Sequence, residues 1–208
     1  MEKTDQRYRH FVQILREELV PAMGCTEPIA IAYGAAKARE ILGRLPDQIL
    51  VEASGNIIKN VKSVVVPNTG GLKGIEASAA AGVVAGDAGK ILEVISQVSQ
   101  EQKADIRSYL ETHEVRVIPA MGDVIFDIVV NLTAGEDTVR LRIADYHTNI
   151  VLIEKNGETL LKAGAVVSAD NTAGLTDRSC LSVEAIVDFV NTMDVDDVRE
   201  IVQRQIDY

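Results

Sequence analysis

The sequence lacks several features that would place it in a particular class of protein. It contains no tryptophan, 4% aromatic residues and two cysteines among 208 residues. With so few aromatic side chains, a core must be built from Ala, Val, Ile and Leu, and a chain of this length can bury a substantial one. Basic residues are also scarce, since 21 Lys and Arg stand against 31 Asp and Glu and give a net charge of −10. Such a chain does not offer the basic face that nucleic acid or an anionic lipid surface attracts.

Long apolar runs are missing as well. The longest candidates, such as ASAAAGVVAG at 77–86, are short and made of small residues, so no membrane-spanning segment is predicted. The amino terminus is charged from its second residue, which does not fit a secretory signal. These observations predict a cytoplasmic protein, in which Cys25 and Cys180 are reduced thiols rather than a disulfide.

Helical periodicity appears in several segments. The small residues of AIAYGAAKA (30–38) and of 75–86 favour helices that pack backbone against backbone. The predicted helices cover 5–19, 28–42 with Gly43 as terminator, 75–86, two segments within 90–111, and two short helices at the end of the chain, the first capped by Ser182.

Strands are predicted from apolar runs and from the alternation of apolar with polar residues. QILVEA (48–53) and VKSVVVP (61–67) read as strands around a polar turn, SGNIIKN (54–60). Residues 115–162 read mostly as strand, with a hairpin at Asn156-Gly157. The pattern predicts an α+β fold with a mainly antiparallel or mixed sheet packed with small-residue helices, and a helical C-terminal tail. We expect an α+β domain over 1–165, and a loop with a two-helix tail over 166–208 that leads to a further C-terminal domain.

Cys25 stands between a glycine and a Thr-Glu-Pro helix opening in PAMGCTEP (21–28). Unpaired amides and the helix dipole favour an anion at such a position, so we expect the pKa of the thiol to be lowered. A small apolar side chain in a buried turn explains the residue equally well. Cys180 lies far along the chain in a loop-like stretch, without the short spacing of a metal site, and is interpreted as incidental.

Three further stretches carry polar groups that could act on a ligand. Lys59 follows Ser54 and Asn56 in the predicted turn, and it could meet a carboxylate there, although turn chemistry explains Asn and Gly. PNTGGLKG (67–74) fits no nucleotide-binding motif; its amides could hold an anion, or its glycines could simply allow a tight turn. His147 in ADYHTNIV (144–151) is either a general base or a hydrogen-bonded histidine at the end of a strand.

Taken together, these stretches resemble the iron–sulfur L-cysteine desulfidases, which are related to the α part of iron–sulfur L-serine dehydratases. The similarity runs over nearly the whole chain, as the amino-terminal domain of such an enzyme. The residues that carry it are Gly24-Cys25-Thr26-Glu27-Pro28, Ser54-Gly55-Asn56 with Lys59-Asn60, the glycine loop from Pro67 to Gly74, and His147-Thr148-Asn149-Ile150.

The resemblance implies a cytoplasmic lyase of amino-acid catabolism that converts L-cysteine into pyruvate, ammonia and sulfide. It implies a 4Fe–4S cluster and no pyridoxal phosphate (PLP). Cys25 corresponds to the amino-terminal cysteine of the cluster site and is the implied metal ligand. The other cluster cysteines of that family lie in a C-terminal portion outside these residues, and Cys180 matches none of them. The chain is therefore expected to be inactive alone and to need that C-terminal domain as its partner.

Residue chemistry then suggests roles toward a small amino-acid substrate. Lys59 and His147 are the predicted catalytic residues. Lys59 and the amides of the glycine loop could meet the developing negative charge, and either His147 or a desolvated Lys59 could be the base for the α-proton. The predicted substrate-binding residues are Ser54, Asn56, Asn60, Thr69, Gly70, Gly71 and Asn149.

Two other functions fit the same residues. L-Serine could replace L-cysteine, with water as the leaving group, because nothing in the sequence separates the two substrates. A non-catalytic binding or scaffold domain would also explain the missing cysteines. The sequence is also compatible with a homodimer, since the helix at 75–86 could pack internally or against a second copy.

Overall fold

The computed structural model of the chain describes residues 1–19, 22–163 and 175–207. The described residues form seven α-helices, one 3-10 helix and one six-stranded sheet, which confirms the α+β class and the helices at the C-terminal end. The helices are α1 (Gln6–Glu18), α2 (Thr26–Leu42), α3 (Gly55–Val61), α4 (Gly74–Ala85), a 3-10 helix (Ala88–Glu93), α5 (Gln100–Thr112), α6 (Val183–Thr192) and α7 (Val195–Asp207). The strands are β1 (Gln48–Ala53), β2 (Glu114–Pro119), β3 (Asp127–Ala134), β4 (Asp137–Ala144), β5 (Ile150–Lys155) and β6 (Glu158–Lys162).

The strands lie in the order β2-β1-β3-β4-β5-β6. β1 pairs with β2 in parallel, and the other neighbours pair antiparallel. A parallel pair needs a long crossover, which here contains α3, α4, the 3-10 helix and α5. The sheet is therefore mixed but mainly antiparallel, as predicted.

Helix α2 covers one face of the sheet. Ile128, Val130 and Leu132 of β3 are fully buried, at every second position, as expected for a strand with one face on the core. A Cβ atom on Gly34 of α2 would lie 3.2 Å from Ile143 Cδ1 and 3.5 Å from Val130 Cγ2. The middle of α2 therefore rests on the centre of the sheet.

Helices α2 and α4 pack at backbone contact, as their small residues predict. Gly82 lies directly against the carbonyl of Ala32, and Gly86 lies against the methyl group of Ala36. Arg39 Nη2 adds a 2.7 Å hydrogen bond to the carbonyl of Gly86. Going from Gly82 to Gly86 on the α4 side, the contacted residue on α2 changes from Ala32 to Ala36. The two helices therefore run in the same direction and begin at the same end of the pair.

The prediction of a polar turn at 54–60 is wrong, because these residues form α3. Ser54 is its N-cap and accepts a hydrogen bond from the amide of Ile57. Ile57 and Val61, four residues apart, are buried on one side of the helix. The capping serine and this spacing outweigh the turn preference of Gly55 and Asn56.

The strand predicted for VKSVVVP is also wrong. Val61 belongs to α3, and the remaining residues make one isolated bridge, from Val65 to Lys73. The amide of Val66 donates to Leu72 O at 2.8 Å and closes the glycine loop. This segment therefore forms the stem of a loop rather than a strand of the sheet.

The long strand region predicted over 115–162 is divided into five strands. The turn between β4 and β5 contains Asp145 with a φ of 69°, and a strand cannot continue through that conformation. The hairpin predicted at Asn156-Gly157 is confirmed, with φ angles of 51° and 83° that match a type I′ turn.

Two compact units make up the chain, Met1–Pro21 with Val166–Tyr208, and Ala22–Ala165. The smaller unit has its own core, in which Phe11 of α1 and Phe189 of α6 stack with ring centroids 4.9 Å apart. The division expected from the sequence placed 1–165 together, whereas the packing groups α1 with the C-terminal helices. Ser182 caps α6 as predicted, by accepting from the amide of Ala185. Among the described residues, no helix combines the length and the apolar character needed to cross a membrane.

The contact at Gly82 generates a stability prediction. A Cβ atom there would collide with the carbonyl of Ala32 and the methyl group of Ala35, so Gly82→Ala should lower the free energy of unfolding by about 1–3 kcal/mol. Gly55→Ala is the control, because a Cβ atom on Gly55 meets nothing within 4 Å. Urea denaturation measures both, and equal midpoints for the two variants would contradict close packing of α2 on α4.

Candidate functional site at the start of helix α2

Three strand ends meet beside the start of α2, within the larger unit. Residue pairing places Ala53 of β1 opposite Ile128 of β3, and Asp127 opposite Ala144 of β4. Beyond these pairs the amide of Ser54 donates to Asp127 O at 2.9 Å, and that of Asp145 donates to Phe126 O at 3.0 Å. The segments that carry Lys59 and His147 therefore leave the sheet at the same end of its strands.

The first residues of α2 form one side of the site. Cys25 is the N-cap residue, and its thiol donates to Glu27 Oε2 at 3.1 Å instead of capping the helix. Asn60 Nδ2 of α3 donates to Glu27 Oε1 at 3.3 Å. Glu27 thus joins the thiol on one side to α3 on the other.

His147 forms the opposite side of the site, in the turn between β4 and β5. Its Nε2 atom lies 2.9 Å from Thr26 Oγ1, a hydrogen bond between residues 121 positions apart. The imidazole also packs on Phe126, with ring centroids 4.5 Å apart and planes tilted by 57°. Half-buried between a hydroxyl and an aromatic ring, the imidazole has a defined orientation.

The electrostatics at the start of α2 differ from the expectation. Burial raises the pKa of the Cys25 thiol, and the hydrogen bond and charge of Glu27 raise it further. Burial also acts to raise the pKa of Glu27, but hydrogen bonds from Cys25, its own amide and Asn60 outweigh this and lower it. The prediction of a lowered pKa for Cys25 is wrong, because Glu27 is the anion that occupies the helix start.

Burial lowers the pKa of His147, and the negative charge of Glu27 opposes only part of this shift. The imidazole is therefore neutral at neutral pH, which is the form required of a proton acceptor. Among the described residues, the hydrogen-bond partner of the ring is Thr26.

Two predicted substrate-binding residues hold the backbone. Ser54 is 7% exposed, and its hydroxyl donates to Ile125 O at 2.6 Å while it caps α3. Asn149 Nδ2 donates to Ala144 O at 2.9 Å and closes the turn that carries His147. Both residues therefore hold backbone segments of the site in place.

Lys59 and Asn56 lie exposed on α3. Within the described part of the chain, no hydrogen bond or ion pair joins either side chain to Cys25, Glu27 or His147. Asn60, one residue after Lys59, is the member of this group that the structure brings to the site. The catalytic role of Lys59 stays a prediction.

The glycine loop makes its described contacts toward α5 and the segment before it. Thr69 is fully buried and donates to Val66 O at 2.8 Å within the loop itself. The carbonyl of Gly70 accepts from Arg107 Nη2 at 2.7 Å. Gly70 and Gly71 have φ angles of 73° and 94°, a conformation that favours glycine. These contacts support the tight-turn interpretation, and substrate binding by Thr69, Gly70 and Gly71 stays a prediction.

The donor set of this chain does not by itself fit a four-iron cluster. Such clusters are held mainly by cysteine thiolates, and the sequence contains only Cys25 and Cys180, the second of which belongs to the other compact unit. In the ranges that the structure describes, no group of three or more His, Cys, Asp and Glu side chains is arranged to hold a metal ion. Further thiolates would have to come from outside these 208 residues, so the iron–sulfur cluster stays a prediction for a longer protein.

Thr26, Glu27 and Phe126 are site residues that the sequence reasoning did not assign. Thr26 and Glu27 lie inside the quoted GCTEP motif, so a signal for them was present but was interpreted only as a helix opening. Phe126 gave no signal, since an aromatic residue before an apolar strand is ordinary. Its role depends on the β4–β5 turn folding back beside it.

Sequence comparisons relate the chain to proteins named UPF0597. One from Desulfitobacterium hafniense (strain Y51) is 53% identical over 208 residues, which are 100% of this chain and 48% of that protein. Another from Treponema denticola is 48% identical over 97% of this chain and 47% of its own length. The chain spans about half the length of the curated relatives it matches. No family model matches the chain, and no solved structure does.

These relatives overturn the family resemblance inferred from the motifs. They carry the UPF0597 name and not that of the iron–sulfur L-cysteine desulfidases or L-serine dehydratases, so that recognition was wrong. The GCTEP, SGNIIKN and HTNI stretches are the start of α2, helix α3 and the β4–β5 turn. Any function must therefore be argued from the geometry of these residues.

The position of Glu27 generates a prediction for two groups at once. Its charge raises the pKa of both Cys25 and His147, so Glu27→Gln should lower both. The pH dependence of thiol alkylation, in a Cys180→Ala background, reports on Cys25, and NMR titration reports on His147. Glu40→Gln, at the far end of α2 and paired with Lys37 at 2.8 Å, should change neither. A rise in either pKa would contradict the assigned contacts.

A second prediction concerns pH and stability. Because the pKa of His147 is lowered in the folded protein, the unfolded chain binds that proton more tightly. The contribution to stability is therefore present above the ordinary histidine pKa of about 6.5 and is lost as pH falls toward the folded value. His147→Gln should flatten this part of the profile. Urea denaturation between about pH 5 and about pH 8 checks this, and an unchanged profile would refute it.

Proposed function

We propose that this chain is one half of a lyase that eliminates sulfide from L-cysteine to give pyruvate and ammonia. The part of the longer relatives that the chain does not cover would supply the rest of the active site. We also propose a cytoplasmic location, where Cys25 and Cys180 would stay reduced. The observation that carries the proposal is the 2.9 Å hydrogen bond between Thr26 and His147, which holds a neutral imidazole beside the carboxylate of Glu27.

Elimination from an amino acid needs a base for the α-proton and an anchor for the ammonium group. His147 supplies the base in the tautomer whose Nε2–H donates to Thr26 Oγ1, since that form leaves a free lone pair on Nδ1. Glu27 supplies the anchor, since its lowered pKa keeps it as a carboxylate. We propose that one small substrate reaches both groups, since Glu27 follows Thr26, the residue in contact with the imidazole.

The reaction balances with these groups and water. His147 takes the α-proton, the electron pair forms the Cα–Cβ double bond, and the carbon–sulfur bond breaks so that sulfur leaves as HS⁻. The 2-aminoacrylate that remains tautomerises to an imine, which water hydrolyses to pyruvate and ammonia. Negative charge that develops next to the substrate carboxylate needs a cation, and Lys59, beside Asn60 on α3, is the proposed one.

L-Serine is the second candidate substrate. Its elimination follows the same proton transfer with oxygen as the leaving atom, so it makes the same demands on His147 and Glu27.

Turnover tests the proposal when the chain is co-expressed with the unmatched half of the Desulfitobacterium hafniense relative and purified without oxygen. We expect sulfide and pyruvate from L-cysteine, measured beside pyruvate from L-serine. His147→Gln should lower kcat by about 100- to 10,000-fold, the range for loss of a general base. Lys59→Met should lower kcat as well.

Matched controls separate chemistry from folding. His113→Gln removes a histidine whose ring stacks on Tyr109 with centroids 4.1 Å apart, and Lys62→Met removes an exposed lysine just after α3. Both should keep wild-type turnover. Near-wild-type turnover in His147→Gln or in Lys59→Met would remove that residue from the mechanism. A complex that binds amino acids without any product would favour a binding domain.

A further inference from the structure

Exposed apolar side chains occur in the two chain segments that also carry Phe126 and His147 of the candidate site. Met121, Ile125 and Tyr146, which we name the apolar rim, are 93%, 73% and 52% exposed. Met121 and Ile125 lie in the segment before β3, and Tyr146 lies in the turn before β5.

Backbone contacts hold the two segments of the rim together beside His147. The hydroxyl of Ser54 donates to Ile125 O at 2.6 Å, which ties the first segment to the end of β1. The amide of Asp145 donates to Phe126 O at 3.0 Å, which ties the second segment to the first. Tyr146 is the neighbour of His147, whose ring packs on Phe126. The amide of Ala120, the neighbour of Met121, donates to Ala53 O at 2.8 Å at the end of β1. The backbone segments that carry the three rim residues therefore lie at the same end of the sheet as the candidate site.

We propose that the apolar rim is the docking surface for the part of the longer protein that this chain does not cover. The chain accounts for 48% and 47% of two relatives that match essentially all of it. Each of those relatives therefore contains a further region of about the same size as the region that matches this chain. Grouped exposed apolar side chains mark an interaction surface, and these stand next to a site left half-exposed. The inference rests on the proposed function in one respect, since the docked surface would exclude water from the elimination.

Charge indicates what the partner surface should look like. The charged residues within the two rim segments are Asp123 and Asp145, both exposed, and the chain as a whole carries −10. A second copy docked rim to rim would bring these carboxylates together, which is unfavourable. The partner should therefore present an apolar centre edged by Lys or Arg, and binding should weaken as salt rises.

Binding tests this inference separately from turnover. The tagged chain is co-expressed with the unmatched half of the Desulfitobacterium hafniense relative, and the affinity of the purified halves is measured at low and at high salt. Met121→Ser combined with Ile125→Ser should weaken binding by at least about 10-fold, and Tyr146→Ser alone should weaken it measurably. Val183→Ser combined with Val187→Ser is the matched control, because these α6 side chains are 78% and 54% exposed but belong to the smaller unit.

Each outcome bears on the proposal. Loss of binding in the rim variants alone, with unfolding midpoints like the wild type's, supports it. It is overturned if the wild-type halves do not associate, or if the α6 variant loses binding while the rim variants keep it. A homodimer that the rim variants dissociate would overturn it too. A complex that forms through the rim but releases no sulfide rejects the proposed function and leaves the docking surface standing.

Discussion

The close contact of α2 with α4 is the constraint on which the rest of this structure depends. Gly82 and Gly86 let α4 approach the backbone of α2 near Ala32 and Ala36, and Gly34 lets α2 rest on the sheet. Helix α2 is thereby held between the sheet and α4 over most of its length. Its first turn is thereby placed beside the strand ends, and the contacts of Cys25, Thr26 and Glu27 start from that turn.

Glu27 organises the electrostatics of the site. It accepts hydrogen bonds from Cys25 and Asn60, and it is the anion that the start of α2 favours. The consequence is a thiol that keeps its proton, beside an imidazole that is kept neutral by burial. A site of this kind suits proton transfer better than nucleophilic attack by sulfur.

Much of the fold could be predicted from local pattern. The small residues of α2 and α4 predicted backbone contact, Ser182 predicted a helix start, and Asn156-Gly157 predicted a hairpin, because each depends on neighbours in the chain. The failures at 54–67 have a common cause. From the sequence, Ile57 belongs to a predicted turn and Val61 to a predicted strand. In the structure the two residues form one buried face of a helix. Local preference for a turn is weaker than burial of two large side chains.

The sequence by itself determined the α+β class, the small-residue helices and the placing of polar groups in three separate stretches, since these follow from composition and period. Only the tertiary structure decided which of those groups meet. It paired Thr26 with His147 across 121 positions and turned Asn60 rather than Lys59 toward Glu27. The physical reason is that a hydrogen bond needs heavy atoms about 3 Å apart, and such a distance between remote residues is set by strand register and helix packing, which no local pattern records.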